Sequence, residues 1–126
     1  MPQAVEYENI NQIGVLTIKN PPVNALSAGV RDGLMTCIKM GMDDKKANAL
    51  VILGDGRTFI AGADIREFGK PPSGTPIHQI IEVIENSPKP VIAAIHGTAL
   101  GGGLEVTLAC HYRYAVGDSL VGLPEV

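Results

Sequence analysis

Ala49-Leu50-Val51-Ile52-Leu53 and Val91-Ile92-Ala93-Ala94-Ile95 are two unbroken apolar runs, the first closed by Gly54-Asp55-Gly56 and the second preceded by Ser87-Pro88-Lys89-Pro90. Short runs of this kind, bounded by turn formers, predict strands buried on both faces. Between them Ile77, Ile80, Ile81 and Ile84 recur at helical spacing, with Thr75 as the cap and Pro76 in the first helical position. A strand, a crossover helix and a second strand require a parallel sheet, so the chain is predicted to be an α/β protein.

The remaining segments fit around that unit. Val5–Ile10 alternates and Ile13–Ile18 is apolar and β-branched, so with Asn11-Gln12 as the turn they predict a hairpin. Two prolines make Asn20-Pro21-Pro22-Val23-Asn24 a loop. After Ser27, a suitable N-cap, Val30, Leu34, Ile38 and Met42 mark one face of an amphipathic helix that Met35 widens. Gly69-Lys70-Pro71-Pro72-Ser73-Gly74 is expected to be a mobile surface loop. The last third reads as strand, glycine turn, apolar helix and a strand over His111–Val116, with Gly117-Asp118-Ser119-Leu120 as a turn before the final strand.

Composition narrows the function. With 126 residues, 10 basic and 13 acidic, the net charge is −3, and one domain is expected. The basic residues form no stripe and aromatic residues are only 4% of the chain, which argues against nucleic-acid binding. Cys37 and Cys110 make neither a disulfide framework nor a metal site, and His78, His96 and His111 lack ligand spacing, so no metal is expected and a reducing compartment is. No apolar run approaches the roughly 18 residues of a membrane span and no signal-peptide layout is visible, so the expectation is a soluble intracellular protein without a membrane partner.

Two turns carry the chemical interest. Gly101-Gly102-Gly103 opens a helix, leaving unpaired N–H groups and the positive end of the dipole facing a ligand, an arrangement that suits an anion. That helix is apolar almost all round and is expected to be buried, yet it carries Glu105 one turn in. A carboxylate there either caps the helix or has a chemical task. The second turn, Phe59-Ile60-Ala61-Gly62-Ala63-Asp64-Ile65, presents another free N–H or is an ordinary strand-to-helix loop with Asp64 as N-cap.

Four segments occur in order: Asn20-Pro21-Pro22-Val23-Asn24-Ala25-Leu26-Ser27, Phe59 to Ile65, Gly97-Thr98-Ala99-Leu100-Gly101-Gly102-Gly103-Leu104-Glu105, and Val121-Gly122-Leu123-Pro124-Glu125. With them the chain resembles the enoyl-CoA hydratase/isomerase, or crotonase, superfamily over essentially its whole length. The start, the Cys110-His111-Tyr112-Arg113 stretch and the end look most like the N-terminal hydratase half of bifunctional enzymes that also carry a 3-hydroxyacyl-CoA dehydrogenase.

The resemblance implies the N-terminal part of a crotonase-like spiral of β-β-α units, one domain over residues 1–126 cut after the Pro-Glu motif, without a dehydrogenase domain. It implies hydration of 2-enoyl-CoA to 3-hydroxyacyl-CoA in fatty-acid β-oxidation. The N–H groups of Ala63 and Gly102 would form an oxyanion hole, Glu105 would act as base and Glu125 as acid, the latter with a pKa raised by Leu123, Pro124 and Val126. An isomerase relying on Glu125, or a non-catalytic acyl-CoA-binding fragment, are the alternatives. The adenine of CoA would lie near the backbone from Ala61 through Asp64 to Ile65, with Arg66 toward a phosphate and Asn24-Ala25-Leu26 at the thioester end. No cofactor is implied beyond the coenzyme A of the substrate. A homo-oligomer built on trimers is implied, in the cytoplasm of a bacterium or the mitochondrion or peroxisome of a eukaryote.

Overall fold

The computed structural model describes residues 3–124. Strands β1 (Val5–Ile10) and β2 (Ile13–Ile18) form the predicted antiparallel hairpin, in register from Val5 opposite Ile18 to Ile10 opposite Ile13. Its two-residue turn holds Asn11 and Gln12 at φ of 51° and 70°, the left-handed pair that follows the twist of the flanking strands. Strands β3 (Ala49–Gly54) and β4 (Val91–Ile95) extend the sheet in parallel, and β5 (Thr98–Leu100) leaves it. Strand β6 (Tyr112–Ala115) returns beside β4, giving the order β1-β2-β3-β4-β6, while β7 (Leu120–Gly122) pairs with β5 in a small second sheet.

Three helices, α1 (Ala28–Asp43), α2 (Ile77–Glu85) and α3 (Gly102–Ala109), connect the strands. Leu16, Ile18, Leu50, Ile52, Val91 and Ala93 are fully buried with Val30, Leu34 and Ile38 of α1 and Ile80 and Ile84 of α2. Gly41 of α1 lies so close to Leu50 that a Cβ there would overlap the leucine side chain. The expectation that β3 and β4 are buried on both faces is corrected: Val51, Leu53, Ile92 and Ala94, on the opposite face, are only half-buried. The physical reason is one-sided cover, because α1 lies on the Leu50 face and among the described residues no helix lies on the other. No helix of the described residues is long and apolar enough to cross a membrane.

Local chemistry sets the helix ends. Ser27 caps α1 as predicted, its Oγ accepting the Val30 N–H at 3.2 Å. At the other end, Lys89 Nζ donates to the carbonyls of Gly41 and Asp44 at 2.8 and 2.7 Å, placing a cation on the negative end of the dipole. For α2 the predicted cap is shifted: Pro76, extended at ψ 144°, is the N-cap and gives no side-chain bond. Thr75 instead gives its N–H and hydroxyl to Asp32 Oδ1 at 2.7 and 2.8 Å, tying the exposed 69–74 loop to α1. Strand β5, three residues long, is an addition to the predicted elements. The strand expected over His111–Val116 is shorter at both ends, although the His111 N–H still bonds to Val91 O at 2.9 Å and the Val116 N–H to Ile95 O at 3.1 Å, and the His111 ring adds a bond by accepting the Val91 N–H at Nδ1, 3.0 Å.

Candidate active site

The Ala63 turn is held from below by a buried asparagine. Asn24, only 2% exposed, donates from Nδ2 to the carbonyls of Asp55 and Thr58, both at 2.9 Å, while its Oδ1 accepts the Asn20 N–H at 2.8 Å. That brace fixes the proline loop against the loop after β3. Beyond it, the N–H groups of Phe59, Ile60 and Ala61 bond to the carbonyls of His96, Thr98 and Val23, and the Leu26 N–H bonds to Gly62 O at 2.8 Å. Backbone bonds thus hold the segment as far as Gly62. The N–H of Ala63 has no acceptor among the described residues.

Gly102 supplies a second free donor for a different reason. It is the first residue of α3, and the first bond inside that helix runs from the Glu105 N–H to Gly101 O at 3.0 Å, so the N–H groups before Glu105 have no intrahelical acceptor. The preceding Gly101 sits at φ 55° and ψ −121°, a conformation open in practice only to glycine. Gly103 is required on packing grounds, because a Cβ there would stand 2.6 Å from the backbone oxygen of Ile60.

Ala63, Gly102 and Glu105 all line one cleft of about 530 Å³, whose apolar wall is Leu26 and Ile77 and whose rim includes Arg31, Glu67 and the 70–74 loop. The expectation that α3 is buried all round is corrected. Gly103, Val106, Thr107 and Ala109 are buried, whereas Glu105 is exposed and Leu108 is 57% exposed, because α3 packs on α2 and β5 and no other element among the described residues covers its outer face. Glu105 does not cap its own helix, whose N-cap makes no side-chain bond. It is a solvent-facing carboxylate on the cleft wall.

A second cavity of about 390 Å³ is lined by Pro21, Pro22, Ala25, Asp64, Ile65 and Arg66, and Ala63 borders both cavities. Asp64 takes the N-cap role foreseen for it: its Oδ1 accepts the Arg66 N–H at 3.0 Å and Nε at 2.9 Å, and its Oδ2 accepts Nη2 at 2.8 Å. Those side-chain bonds from Arg66 hold the Asp64 carboxyl below the usual carboxylate range and raise the guanidinium in turn. Arg66 remains exposed, with Nη1 outside that pair. Ala61 borders neither cavity, and its N–H is committed to Val23. Glu125 lies outside the described residues.

Two residues at the rim were not singled out from the sequence. Glu67, on the short 3-10 turn Ile65–Glu67, accepts the Ala28 N–H at 2.8 Å and pairs with Arg31 at 3.3 Å. One signal points to them: the first turn of α1 holds no acid and does hold Arg31, a cation at the positive end of a dipole, which calls for an anion from elsewhere in the chain.

The fold is that of solved enoyl-CoA hydratases. The crystal structure of the enoyl-CoA hydratase from Thermoplasma volcanium matches with a TM-score of 0.89 at 28% identity, 98% of this chain covering 52% of that one. The chain belongs to the enoyl-CoA hydratase/isomerase family, whose model matches residues 8–126. Among curated relatives it is 46% identical to the peroxisomal bifunctional enzyme of Danio rerio, over 95% of this chain and 17% of that protein. It is 48% identical to the Bacillus subtilis protein named "Probable enoyl-CoA hydratase", over 90% of this chain and 47% of that one. The chain therefore spans about half the length of the bacterial relative and a sixth of the bifunctional enzyme.

Proposed function

We propose that the chain adds water across 2-enoyl-CoA thioesters, with Ala63 and Gly102 holding the thioester oxygen and Glu105 receiving a proton from the attacking water. The observation that carries this reading is that two residues from separate elements, whose N–H groups have no acceptor among the described residues, line the same cleft as an exposed carboxylate. Attack of water at C3 moves an electron pair onto the thioester oxygen as an enolate. Glu105 takes a proton from the water, and a second acid returns one to C2, so that H and OH are added and nothing is left over. In this reading that acid is Glu125. Each donor aimed at the developing oxyanion is worth about 3 kcal/mol of barrier, provided that it fits the enolate better than the ground state.

The cavity beside Ala63 suits the CoA portion, with Ala25 near the thioester, the backbone at Asp64 and Ile65 toward the adenine, and Arg66 Nη1 toward a phosphate. The names of relatives such as the fatty acid beta-oxidation multifunctional protein of Arabidopsis thaliana support a place in β-oxidation. The exposed Tyr112, Tyr114, Leu120 and Val121 of β6 and β7 favour self-association, which sedimentation tests; a compact monomer would count against it. The hydration itself is tested by loss of the enoyl thioester absorbance when a short 2-enoyl-CoA is added to the purified chain. Turnover that disappears in Glu105→Gln supports the reading. Absence of both turnover and acyl-CoA binding overturns it, and binding without turnover would make the chain an acyl-CoA-binding module.

A further inference from the structure

Beyond Gly62, Ala63 is bridged to Leu26 and is followed by local backbone bonds from the Glu67 N–H to Asp64 O at 3.0 Å and the Phe68 N–H to Ile65 O at 3.2 Å, and side chains tie that segment to α1. Glu67 Oε2 accepts the first N–H of α1, that of Ala28, at 2.8 Å, and Oε1 meets Arg31 Nη1 at 3.3 Å. The same Nη1 donates to Leu26 O at 2.7 Å, and the Leu26 N–H bonds to Gly62 O at 2.8 Å. The links close a ring: Gly62, Leu26, Arg31, Glu67 and back along the chain to Ala63. The remaining donors of Arg31 grip the far side of the cleft, Nε to Thr75 O at 2.8 Å and Nη2 to Ser73 O at 2.7 Å. The Arg31 side chain is 16% exposed and that of Glu67 35%, so the pair is shielded enough to hold a geometry. An oxyanion donor acts through its preorganised direction, which a free peptide in a loop does not keep unaided.

We infer that Arg31 and Glu67 are positioning residues for the Ala63 N–H, holding it toward the thioester oxygen without touching substrate themselves. The inference rests on the hydration reading for its consequence, though not for its geometry. Glu67→Ala cuts the ring, Glu67→Gln keeps an acceptor for the Ala28 N–H, and Arg31→Lys keeps the charge but loses the fork that holds three carbonyls.

The test is 15N relaxation of the unliganded chain together with the absorbance of a bound 2,4-dienoyl-CoA, whose band moves to longer wavelength when its carbonyl is polarised. In Glu67→Ala the order parameter of the Ala63 amide is expected to fall from the rigid level of about 0.85 to below about 0.6. The Gly102 amide stays rigid, Glu67→Gln restores Ala63, and Arg31→Lys lies between. The dienoyl band shift falls by half or more, while Kd changes by less than threefold. An Ala63 amide that stays rigid in both Glu67→Ala and Arg31→Lys overturns the inference, as does equal loosening of Ala63 and Gly102. If the unaltered chain fails to shift the dienoyl band while Ala63 loosens as expected, the positioning stands and the hydration reading fails.

Discussion

Leu26 and Gly102 are in such close contact that a Cβ built on Gly102 would stand 2.9 Å from Leu26 Cδ1. Leu26 is also bridged to Ala63 across the cleft floor. One leucine thus touches the elements that carry both free donors.

Replacements at Gly102 separate crowding from loss of the donor. Gly102→Ala keeps the N–H and adds a methyl that only the flexible ends of Leu26 and Ile77 must accommodate. Gly102→Pro adds a larger ring and removes the N–H at the first helical position, where proline is tolerated. We expect Gly102→Pro to lower kcat/KM by about 10²–10³ beyond Gly102→Ala. Steady-state kinetics on a short enoyl-CoA checks this, and equal losses would remove Gly102 from the oxyanion site.

Glu105→Gln should abolish turnover while leaving the fold intact. The side chain is exposed and caps nothing, so the stability cost is confined to its place in the first turn of α3, less than about 1 kcal/mol. Loss of a general base should cost about 10²–10⁴ in rate. Urea unfolding beside the kinetics tells the two apart.

Asn24→Ala should be among the most destabilising single changes in the loops. It strands the carbonyls of Asp55 and Thr58 and the Asn20 N–H, and places alanine at φ 52°. Unsatisfied buried groups and left-handed strain together cost about 2–4 kcal/mol. A shift in the urea midpoint of less than half a kilocalorie equivalent would contradict the bracing role.

The clasp between β1 and α1 predicts a pH signature. Tyr7 OH donates to Asp44 Oδ2 at 2.7 Å and Asn9 Nδ2 donates to the same oxygen at 2.9 Å. Burial and the carboxylate push the Tyr7 phenol up to about 12, while the bonds from Asn9 and Tyr7 hold Asp44 below the usual carboxylate range. A phenol whose folded pKa is raised stabilises fully below its unfolded value near 10 and loses that contribution as pH rises toward 12. A depressed carboxyl stabilises above its unfolded value near 4 and loses it as pH falls further. The stability difference between the unaltered chain and Tyr7→Phe should therefore be flat from about pH 5 to 10 and shrink on both sides, as read from urea unfolding across pH. Cys110, which burial raises to about 12, is present in both proteins and cancels.

What the sequence made legible is what neighbouring residues decide. The β3 and β4 runs as strands, the Asn11-Gln12 turn, the Ser27 cap and the Asp64 cap each depend on a few adjacent positions and stand as read, whereas the burial of β3 and β4 on both faces, which depends on what covers the sheet, does not. The glycines of 101–103 marked a helix opening for the same reason. The interactions that did not show are pairings across long separations: Tyr7 with Asp44 at 37 residues, Arg31 with Glu67 at 36, Lys89 with Gly41 at 48. Exposure of Glu105 was equally hidden, because an all-apolar helix reads as buried whichever of its faces the fold covers. Strand β5 escaped because three residues between glycines carry no period.

Whether the Ala63 and Gly102 N–H groups grip a thioester oxygen is read from the infrared carbonyl stretch of a short 2-enoyl-CoA labelled with 13C at the thioester carbon and bound to the chain. We expect a band at lower frequency than in free solution, moving back toward the free value in Gly102→Pro but not to the same extent in Gly102→Ala. A bound ligand whose carbonyl frequency equals that in water would contradict it.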